Sequence, residues 1–356
     1  MMTSKARVRT AFARQKPDRV PIYYYGNPGI DARLKEHFGL KIDDDEGLRR
    51  VLGVDFRGVS APYLGPRLHK EIPGRAVDPQ WGFVTRRVEH KSGIYWDFCD
   101  FPLRDADIET IARWPMPSPD DFDYSGIAKS CEEMQAYGIH IGGSGLGNIM
   151  NRAGYLRGME QVFVDLALGE PAGLLLFDRM LAINLEITRR ELAAAKGGGD
   201  FIWMGEDLGT QDGPLISMET FRKYIKPRHK PFFDLAREFD LAVMMHTCGT
   251  SSWAYDDYIT MGLTAVDTLQ PEAKDMSPDY LKQRFGNRLA FCGCISTAGP
   301  VAYGTVEETI SYCRRTLEIM MPGGGYIFAP THCLQDNTPT ENAVAMYETA
   351  HKYGVY

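Results

Sequence analysis

The chain has 356 residues, 44% of them hydrophobic, which is enough to bury a large core. Its formal net charge of −7, without a basic block, argues against a nucleic-acid-binding protein. No apolar run approaches the roughly 18 residues that cross a membrane, and the amino-terminal residues lack the apolar core of a secretory signal. The seven cysteines are scattered through a chain that is not small, so a disulfide framework is not expected. These features predict a cytoplasmic enzyme.

Short apolar segments recur along the chain, and many of them are followed by a stretch with helical periodicity. A first helix is predicted over residues 4–14, with Ser4 as its N-cap. The eight predicted strands are residues 20–25, 54–59, 139–143, 201–205, 241–246, 265–269, 289–293 and 326–329. Further helices are predicted over residues 160–168, 173–195, 218–238, 253–261, 278–285 and 306–320.

Eight β units that alternate with helices favour an α/β fold of the (β/α)8, or TIM-barrel, type, formed by one domain over residues 1–356. A doubly wound open sheet is the alternative, and it is less favoured because no G-x-G-x-x-G opens a helix after the first strand. The proline-rich residues 60–125 interrupt the pattern, and within them residues 82–90 and 93–98 alternate like the arms of a β-hairpin. We interpret this region as an excursion between the second and third strands that forms a lid or a substrate wall.

Chemistry in such barrels lies just after the carboxyl end of each strand. The fifth predicted strand ends in His246-x-Cys248, and residues two apart in an extended segment point to the same side. Imidazole and thiolate are preferred zinc ligands, and Cys333, at the end of the last strand, is the candidate third ligand. The alternative is that His246 is a hydrogen-bonded core histidine and that both cysteines are small buried fillers.

Other strand ends supply weaker candidates. Glu206 and Asp207 follow the fourth strand, where either carboxylate could accept a proton or complete a metal site, or could cap the next helix instead. Asn148, Gln270 and Tyr25 are candidate substrate-binding residues, although for Tyr25 packing in the core is the favoured alternative. Cys292 and Cys294 are expected to pack, and His332, next to Cys333 on a strand, is expected to point away from the site as a structural residue or an outer neighbour.

With these motifs the chain resembles the uroporphyrinogen decarboxylase superfamily along nearly its whole length. The resemblance is carried by PDRVP at residues 17–21, GEDLG at 205–209, HTCG at 246–249 and NTPTEN at 337–342. It implies a (β/α)8 barrel with its cleft at the carboxyl-terminal rim. The true decarboxylases carry an arginine-rich stretch after the first strand that binds substrate carboxylates, but here residues 24–30 contain no arginine and Arg33 is the first to follow.

The other branch of the superfamily is similar to the methylcobamide:coenzyme M methyltransferases, whose zinc motif is H-x-C followed much later by Cys. His246, Cys248 and Cys333 match that motif. The resemblance therefore implies a zinc-dependent methyltransferase that acts on a small thiol or methylated substrate, with a corrinoid (cobalamin) on a separate protein, since the chain has no D-x-H-x-x-G motif. The alternatives are a metal-free decarboxylase of the same fold, an inactive scaffold that binds a corrinoid protein, and a zinc hydrolase.

Overall fold

A computed structural model describes residues 1–90 and 93–356. Its main element is a curled, parallel, seven-stranded sheet with the order β1-β5-β6-β7-β8-β9-β10, and a second sheet has the order β2-β3-β4. The strands are β1 (Phe56–Val59), β2 (Ala76–Val77), β3 (Val84–His90), β4 (Gly93–Phe98), β5 (Gly138–Leu146), β6 (Phe201–Gly205), β7 (Ala242–His246), β8 (Ala265–Leu269), β9 (Ala290–Ile295) and β10 (Tyr326–Pro330). The seven strands predicted from residue 54 onward are thus confirmed to within three residues at each end.

Helices follow most of the strands and pack around the sheet. They are α1 (Ser4–Phe12), α2 (Pro28–His37), α3 (Asp45–Val51), α4 (Ile108–Arg113), α5 (Ile127–Glu133), α6 (Met150–Arg157), α7 (Met159–Leu168), α8 (Pro171–Ala195), α9 (Met218–Thr220), α10 (Lys226–Glu238), α11 (Tyr255–Met261), α12 (Pro278–Phe285), α13 (Pro300–Tyr303), α14 (Val306–Met320) and α15 (Thr340–Tyr353). A π-turn, Phe221–Ile225, joins α9 to α10, so the helix predicted over residues 218–238 is one helical run. None of the helices in the described part of the chain combines the length and apolar character that a membrane crossing requires.

The predicted first strand, residues 20–25, is not a regular strand. It makes isolated parallel bridges to the β10 side, Ile22 to Phe328 and Gly26 to Leu334, and the Asp55 N–H donates to the Ile22 carbonyl on the β1 side. Beyond Ile22 a cavity of about 600 Å³ separates this segment from β1, which explains why no continuous hydrogen-bond ladder forms there. The segment still lies between the two edges of the curled sheet.

The first helix begins at Ser4, the first residue of the predicted range, but its N-cap is the residue before it. The side chain of Thr3, not Ser4, accepts a hydrogen bond from the Ala6 N–H and is the N-cap. The Ser4 hydroxyl instead donates to Asp55, a fully buried carboxylate that also pairs with Arg7 and Arg19. The prediction for Ser4 was wrong because Thr3 already satisfies the free N–H group and Ser4 is drawn to this buried charge.

Residues 60–125 leave the main sheet and carry the small antiparallel sheet. Strand β3 pairs antiparallel with β4 from Thr85–Phe98 to His90–Gly93. Lys91 and Ser92, which would form the turn, lie outside the described residues, so the hairpin stays a prediction. Phe98 of β4 stacks on Tyr155 of α6, with the ring centroids 3.6 Å apart. The excursion therefore supports a helix that follows β5.

A buried glutamate fixes the start of this excursion. The Oε1 atom of Glu191, on α8, accepts a hydrogen bond of 2.8 Å from the Ala61 N–H, and the residue is 3% exposed. Burial raises the pKa of Glu191 to about 7, although the Ala61 N–H opposes this shift. The folded protein therefore binds a proton at this carboxyl where the unfolded chain, with a pKa of about 4.3, has released it.

We expect Glu191 to make the protein less stable as the pH rises from about 4 to 7, because the raised pKa means that folding opposes ionisation. Glu191→Gln cannot ionise at this position. Between pH 5 and pH 8 the free energy of unfolding of the wild type should therefore fall by about 2–3 kcal/mol more than that of Glu191→Gln. Urea unfolding at both pH values measures this, with Glu133→Gln at an exposed position as the control. Identical pH profiles for wild type and Glu191→Gln would contradict the assignment.

Candidate metal centre

The register of three neighbouring strands places the candidate residues at one level. Gly205 of β6 pairs with His246 of β7, and His246 pairs with Asp267 of β8. Because paired residues of neighbouring parallel strands point to the same face, His246 and Asp267 project together. The carboxyl ends of these strands therefore form one rim.

His246 is held by two groups on β8. Its Nδ1 lies 2.8 Å from Asp267 Oδ2 and 2.6 Å from the Thr268 hydroxyl. Burial would lower the pKa of His246, but the hydrogen bond and charge of Asp267 outweigh it, so the pKa lies above its ordinary value. A carboxylate that accepts from Nδ1 leaves Nε2 as the nitrogen with the free lone pair, and this is the usual arrangement behind a metal-binding histidine. Sequence reasoning missed Asp267, whose signal is a lone acid in an otherwise uncharged strand.

Thr268 is held in an unusual backbone conformation beside that histidine. Its φ is +62°, in the left-handed region, where a β-branched residue is strained. The pairing of β8 with β9 shifts register between Asp267 and Leu269, so Thr268 occupies a bulge. The bulge turns the Thr268 hydroxyl toward His246, and sequence alone carried no signal of this.

Cys248 faces His246, as the H-x-C spacing predicts. The Cys248 Sγ and His246 Nε2 atoms are 3.6 Å apart. Burial, with the nearby Asp207 carboxylate, raises the pKa of the Cys248 thiol well above its usual range. A thiol in this environment is a poor nucleophile by itself, and its geometry is that of a potential metal ligand.

His332 joins this pair, contrary to the expectation that it points away. One ligand atom from each of His246, Cys248 and His332 lies within 4.8 Å of the others. The expectation was wrong because β10 ends at Pro330, so the strand alternation does not continue to residue 332. Burial lowers the pKa of His332, which favours the neutral form that binds metals.

Cys333 is buried next to this cluster, but its Sγ is not one of the three ligand atoms that lie within 4.8 Å of one another. Its Sγ is 3.1 Å from His332 Nδ1 and accepts a hydrogen bond of 3.1 Å from Gln335 Nε2. The role of Cys333 as third ligand stays a prediction. Cys292 and Cys294 are buried in β9, as expected for packing residues.

The two adjacent carboxylates after β6 have different surroundings. Glu206 is fully buried and accepts from the Ile149 and Met150 N–H groups at the start of α6, with His229 3.6 Å away. Burial raises the pKa of Glu206, although His229 and these N–H groups oppose the shift. Glu206 is therefore a helix cap, but of α6, which precedes it in the chain, rather than of the next helix as the alternative expected.

Asp207 points instead into the site. It accepts hydrogen bonds from the Cys248 N–H at 3.0 Å and from Asn151 Nδ2 at 2.7 Å. Burial would raise the pKa of Asp207, but the Cys248 N–H and the charge of His246 outweigh it, and the pKa is lowered. Asp207 is therefore an ionised acceptor at neutral pH.

Two cavities meet at the candidate ligands. The first, which we call the aromatic cavity, has a volume of about 320 Å³ and is lined by residues that include Tyr23, Tyr25, Tyr155, Trp203, Asp207 and His246. Asn148, a predicted substrate-binding residue, also lines it. The polar cavity, of about 260 Å³, is lined by Cys248, Gln270, Glu272, Ser296 and Gln335 among others. Thr268, Thr331 and His332 line both cavities. The structure thus brings Tyr25 and Asn148 to one side of the group and Gln270 to the other.

Known proteins resemble this chain in sequence pattern and in fold. The family model described as uroporphyrinogen decarboxylase (URO-D) matches residues 157–353, and no curated protein matches the chain. A methyltransferase from Methanosarcina mazei covers 99% of this chain and 99% of its own, with a TM-score of 0.64 and 16% identity, which shows a shared fold. The match to a pyruvate carboxylase from Rhizobium etli covers 50% of this chain and 23% of the carboxylase chain. Its TM-score of 0.19, at 14% identity, is too low to indicate a shared fold.

We expect Asp267→Asn to weaken metal binding by about 10- to 100-fold, because the variant loses the charge that orients His246 and raises its basicity. Titration of the metal-free protein with Co²⁺, followed by visible absorption, measures this affinity. Asp279→Asn, an exposed aspartate at the start of α12, is the control. Equal affinities of Asp267→Asn and wild type would show that Asp267 does not support a ligand.

Proposed function

The chain belongs to the uroporphyrinogen decarboxylase (URO-D) family, and we propose that it is a zinc-dependent methyltransferase. It would move a methyl group between a small thiol or methylated substrate and a corrinoid carried by a separate protein, in the cytoplasm. The observation that carries this proposal is the His246–Cys248 pair, with ligand atoms 3.6 Å apart and Asp267 behind the imidazole. We take the curled sheet and residues 20–26 together as a complete (β/α)8 barrel.

The residues present fit zinc. A neutral imidazole and a thiolate are ligands that zinc prefers over magnesium or calcium. Burial raises the pKa of the Cys248 thiol, so the charge of a bound metal would be needed to hold it as the thiolate. Three protein ligands leave one position open for substrate, as catalytic zinc sites require.

We propose Cys333 as the third ligand, with His332 as the alternative. The Gln335 Nε2–H donates to the Cys333 sulfur, and donors of this kind stabilise a thiolate. His332 is favoured by its ligand atom, which lies within 4.8 Å of those of His246 and Cys248. The two ligand sets differ in the number of thiolates, so they can be told apart.

When bound, zinc would supply the positive charge that ionises a substrate thiol or polarises a methylated oxygen or sulfur. Asp207 lines the aromatic cavity, so one of its carboxylate oxygens can accept a hydrogen bond from a thiol substrate and relay the released proton to water. Its hydrogen bonds from Cys248 and Asn151 fix that oxygen near the ligands. Tyr25 and Asn148 then contact the bound substrate, and Gln270 lies on the other side of the ligands.

A metal-free decarboxylase is the alternative function. All residues that line the aromatic and polar cavities are described, and none is a lysine or an arginine. A substrate with several carboxylates needs such cations for tight binding. These two cavities therefore favour the methyltransferase, while Arg49 and Arg57 line the separate cavity of about 600 Å³, which shares Tyr23 and Tyr25 with the aromatic cavity.

The direct test is metal analysis combined with methyl transfer from methylcobalamin to a panel of small thiols. We expect about one equivalent of zinc in protein never exposed to chelators, and loss of both zinc and transfer in His246→Ala and Cys248→Ala with the fold intact by circular dichroism. Cys131→Ala, at a buried cysteine on α5, is the control. Purified protein without zinc, or full activity in His246→Ala, would exclude the proposed function.

The third ligand is tested with Co²⁺ in place of zinc. We expect Cys333→Ala to lose about half of the sulfur-to-cobalt absorption in the near ultraviolet, because one of two thiolates is removed. His332→Ala should keep that absorption. The opposite pattern, with full absorption in Cys333→Ala and a large loss of affinity in His332→Ala, would assign the third position to His332.

A further inference from the structure

We propose that His229, which lines neither the aromatic nor the polar cavity, is a positioning residue that holds residues 147–151 in place beside Asp207. The inference rests on the proposed function, because it names a residue that sets the wall of the same site. It is carried by three side chains that are fully buried, His229, Glu206 and Tyr258. We call these three residues the buried polar cluster.

His229 differs from the rest of the helix face on which it lies. The other buried residues of α10 are all apolar, namely Phe232, Phe233, Leu235 and Ala236. Burial of an imidazole costs free energy unless its ring nitrogens find partners. An apolar side chain would fill the same volume without that cost, so the histidine is explained by what its nitrogens bind.

Both ring nitrogens of His229 have partners on other elements. Nε2 lies 3.0 Å from the Gly147 carbonyl oxygen, and Nδ1 lies 2.9 Å from the Tyr258 hydroxyl. A carbonyl oxygen cannot donate, so Nε2 carries a proton and donates it to Gly147. In the neutral ring Nδ1 then accepts from Tyr258, whose hydroxyl keeps its proton because burial raises its pKa well above the ordinary value. The two partners therefore fix both the tautomer and the orientation of the ring.

The Gly147 carbonyl belongs to the turn that joins β5 to α6. Gly147 has a φ of +71°, in the left-handed region that favours glycine. Its carbonyl oxygen meets the His229 ring in the interior, where loss of the donor would leave a buried acceptor unsatisfied. Glu206 fixes the residues that follow, since it accepts from the Ile149 and Met150 N–H groups. The buried polar cluster thus holds this turn at three points.

The segment that is held in this way carries side chains of the proposed site. Asn148 lines the aromatic cavity. Asn151 Nδ2 donates to Asp207 at 2.7 Å, and Asp207 accepts from the Cys248 N–H at 3.0 Å. Because these hydrogen bonds connect the segment to the backbone of a candidate ligand, a shift of the segment would move Asp207 relative to Cys248.

The test compares His229→Leu with His229→Gln. Leucine removes the donor to Gly147, whereas the amide N–H of glutamine can take the place of the Nε2–H. We expect His229→Leu to keep its zinc and to lose about 10- to 100-fold in kcat/KM for methyl transfer from methylcobalamin to 2-mercaptoethanol, because small displacements in a site cost this much. His229→Gln should stay within about threefold of wild type, since a hydrogen bond to Gly147 is restored.

Phe233→Leu is the matched control for loss of packing. Phe233 is buried on the same helix, and its ring stacks on that of Tyr258 with centroids 6.0 Å apart. The change removes packing but no hydrogen bond. It should therefore lower the urea midpoint, as His229→Leu does, and leave kcat/KM within about twofold of wild type.

Hydrogen exchange followed by mass spectrometry gives a readout that does not depend on activity. The amides of residues 147–151 should exchange about tenfold faster in His229→Leu than in wild type, His229→Gln or Phe233→Leu, because only His229→Leu frees the turn.

Three results would overturn the inference: unchanged exchange of residues 147–151 in His229→Leu, a kcat/KM of His229→Leu equal to that of wild type, or equal losses of kcat/KM in His229→Leu and either of the other two variants. Failure of the proposed function is a separate result. Wild-type protein that holds no zinc and transfers no methyl group would overturn that function, and the exchange of residues 147–151 would then decide whether His229 holds the segment.

Discussion

The parallel register of β6, β7 and β8 is the constraint on which the rest of the site depends. It sets Gly205, His246 and Asp267 side by side, so the residues that follow each strand emerge at one rim. A slip of one residue in β8 would turn Asp267 to the opposite face of the sheet and leave His246 without its carboxylate. The apolar residues of these strands hold the register, because their alternate side chains are buried on both faces of the sheet.

A strained backbone position and a ring contact from the excursion also hold residues of the rim in place. Thr268 is held at a positive φ by the bulge between β8 and β9, and its hydroxyl lies 2.6 Å from His246. Strain of this kind persists only where the surrounding packing over-determines it. The excursion adds support from the other side, since Phe98 stacks on Tyr155 at the cavity wall. The insertion is thus part of the site rather than an appendage.

Much of the fold could be predicted from the sequence, because apolar periodicity reports burial directly. Strands β6 and β8 begin and end at the predicted residues, as do α12 and α14. The prediction of a regular strand over residues 20–25 was wrong, because an apolar pattern does not reveal the cavity that keeps these residues from pairing with β1. Of the candidate site, the H-x-C spacing correctly placed His246 beside Cys248. The adjacency of Glu206 and Asp207 could not show that one carboxylate turns to α6 and the other to the cavity.

Most of the elements, the rim and the His246–Cys248 pair follow from the sequence alone, because they depend on periodicity and on spacing within one strand. Which residues from other strands meet that pair depends on the tertiary structure. Asp267 and Thr268 reach His246 across a strand boundary and through a bulge, and His332 arrives after the end of β10. Such contacts depend on register, local backbone shape and the curl of the sheet, and these are set by the packing of the whole chain rather than by any short segment of it.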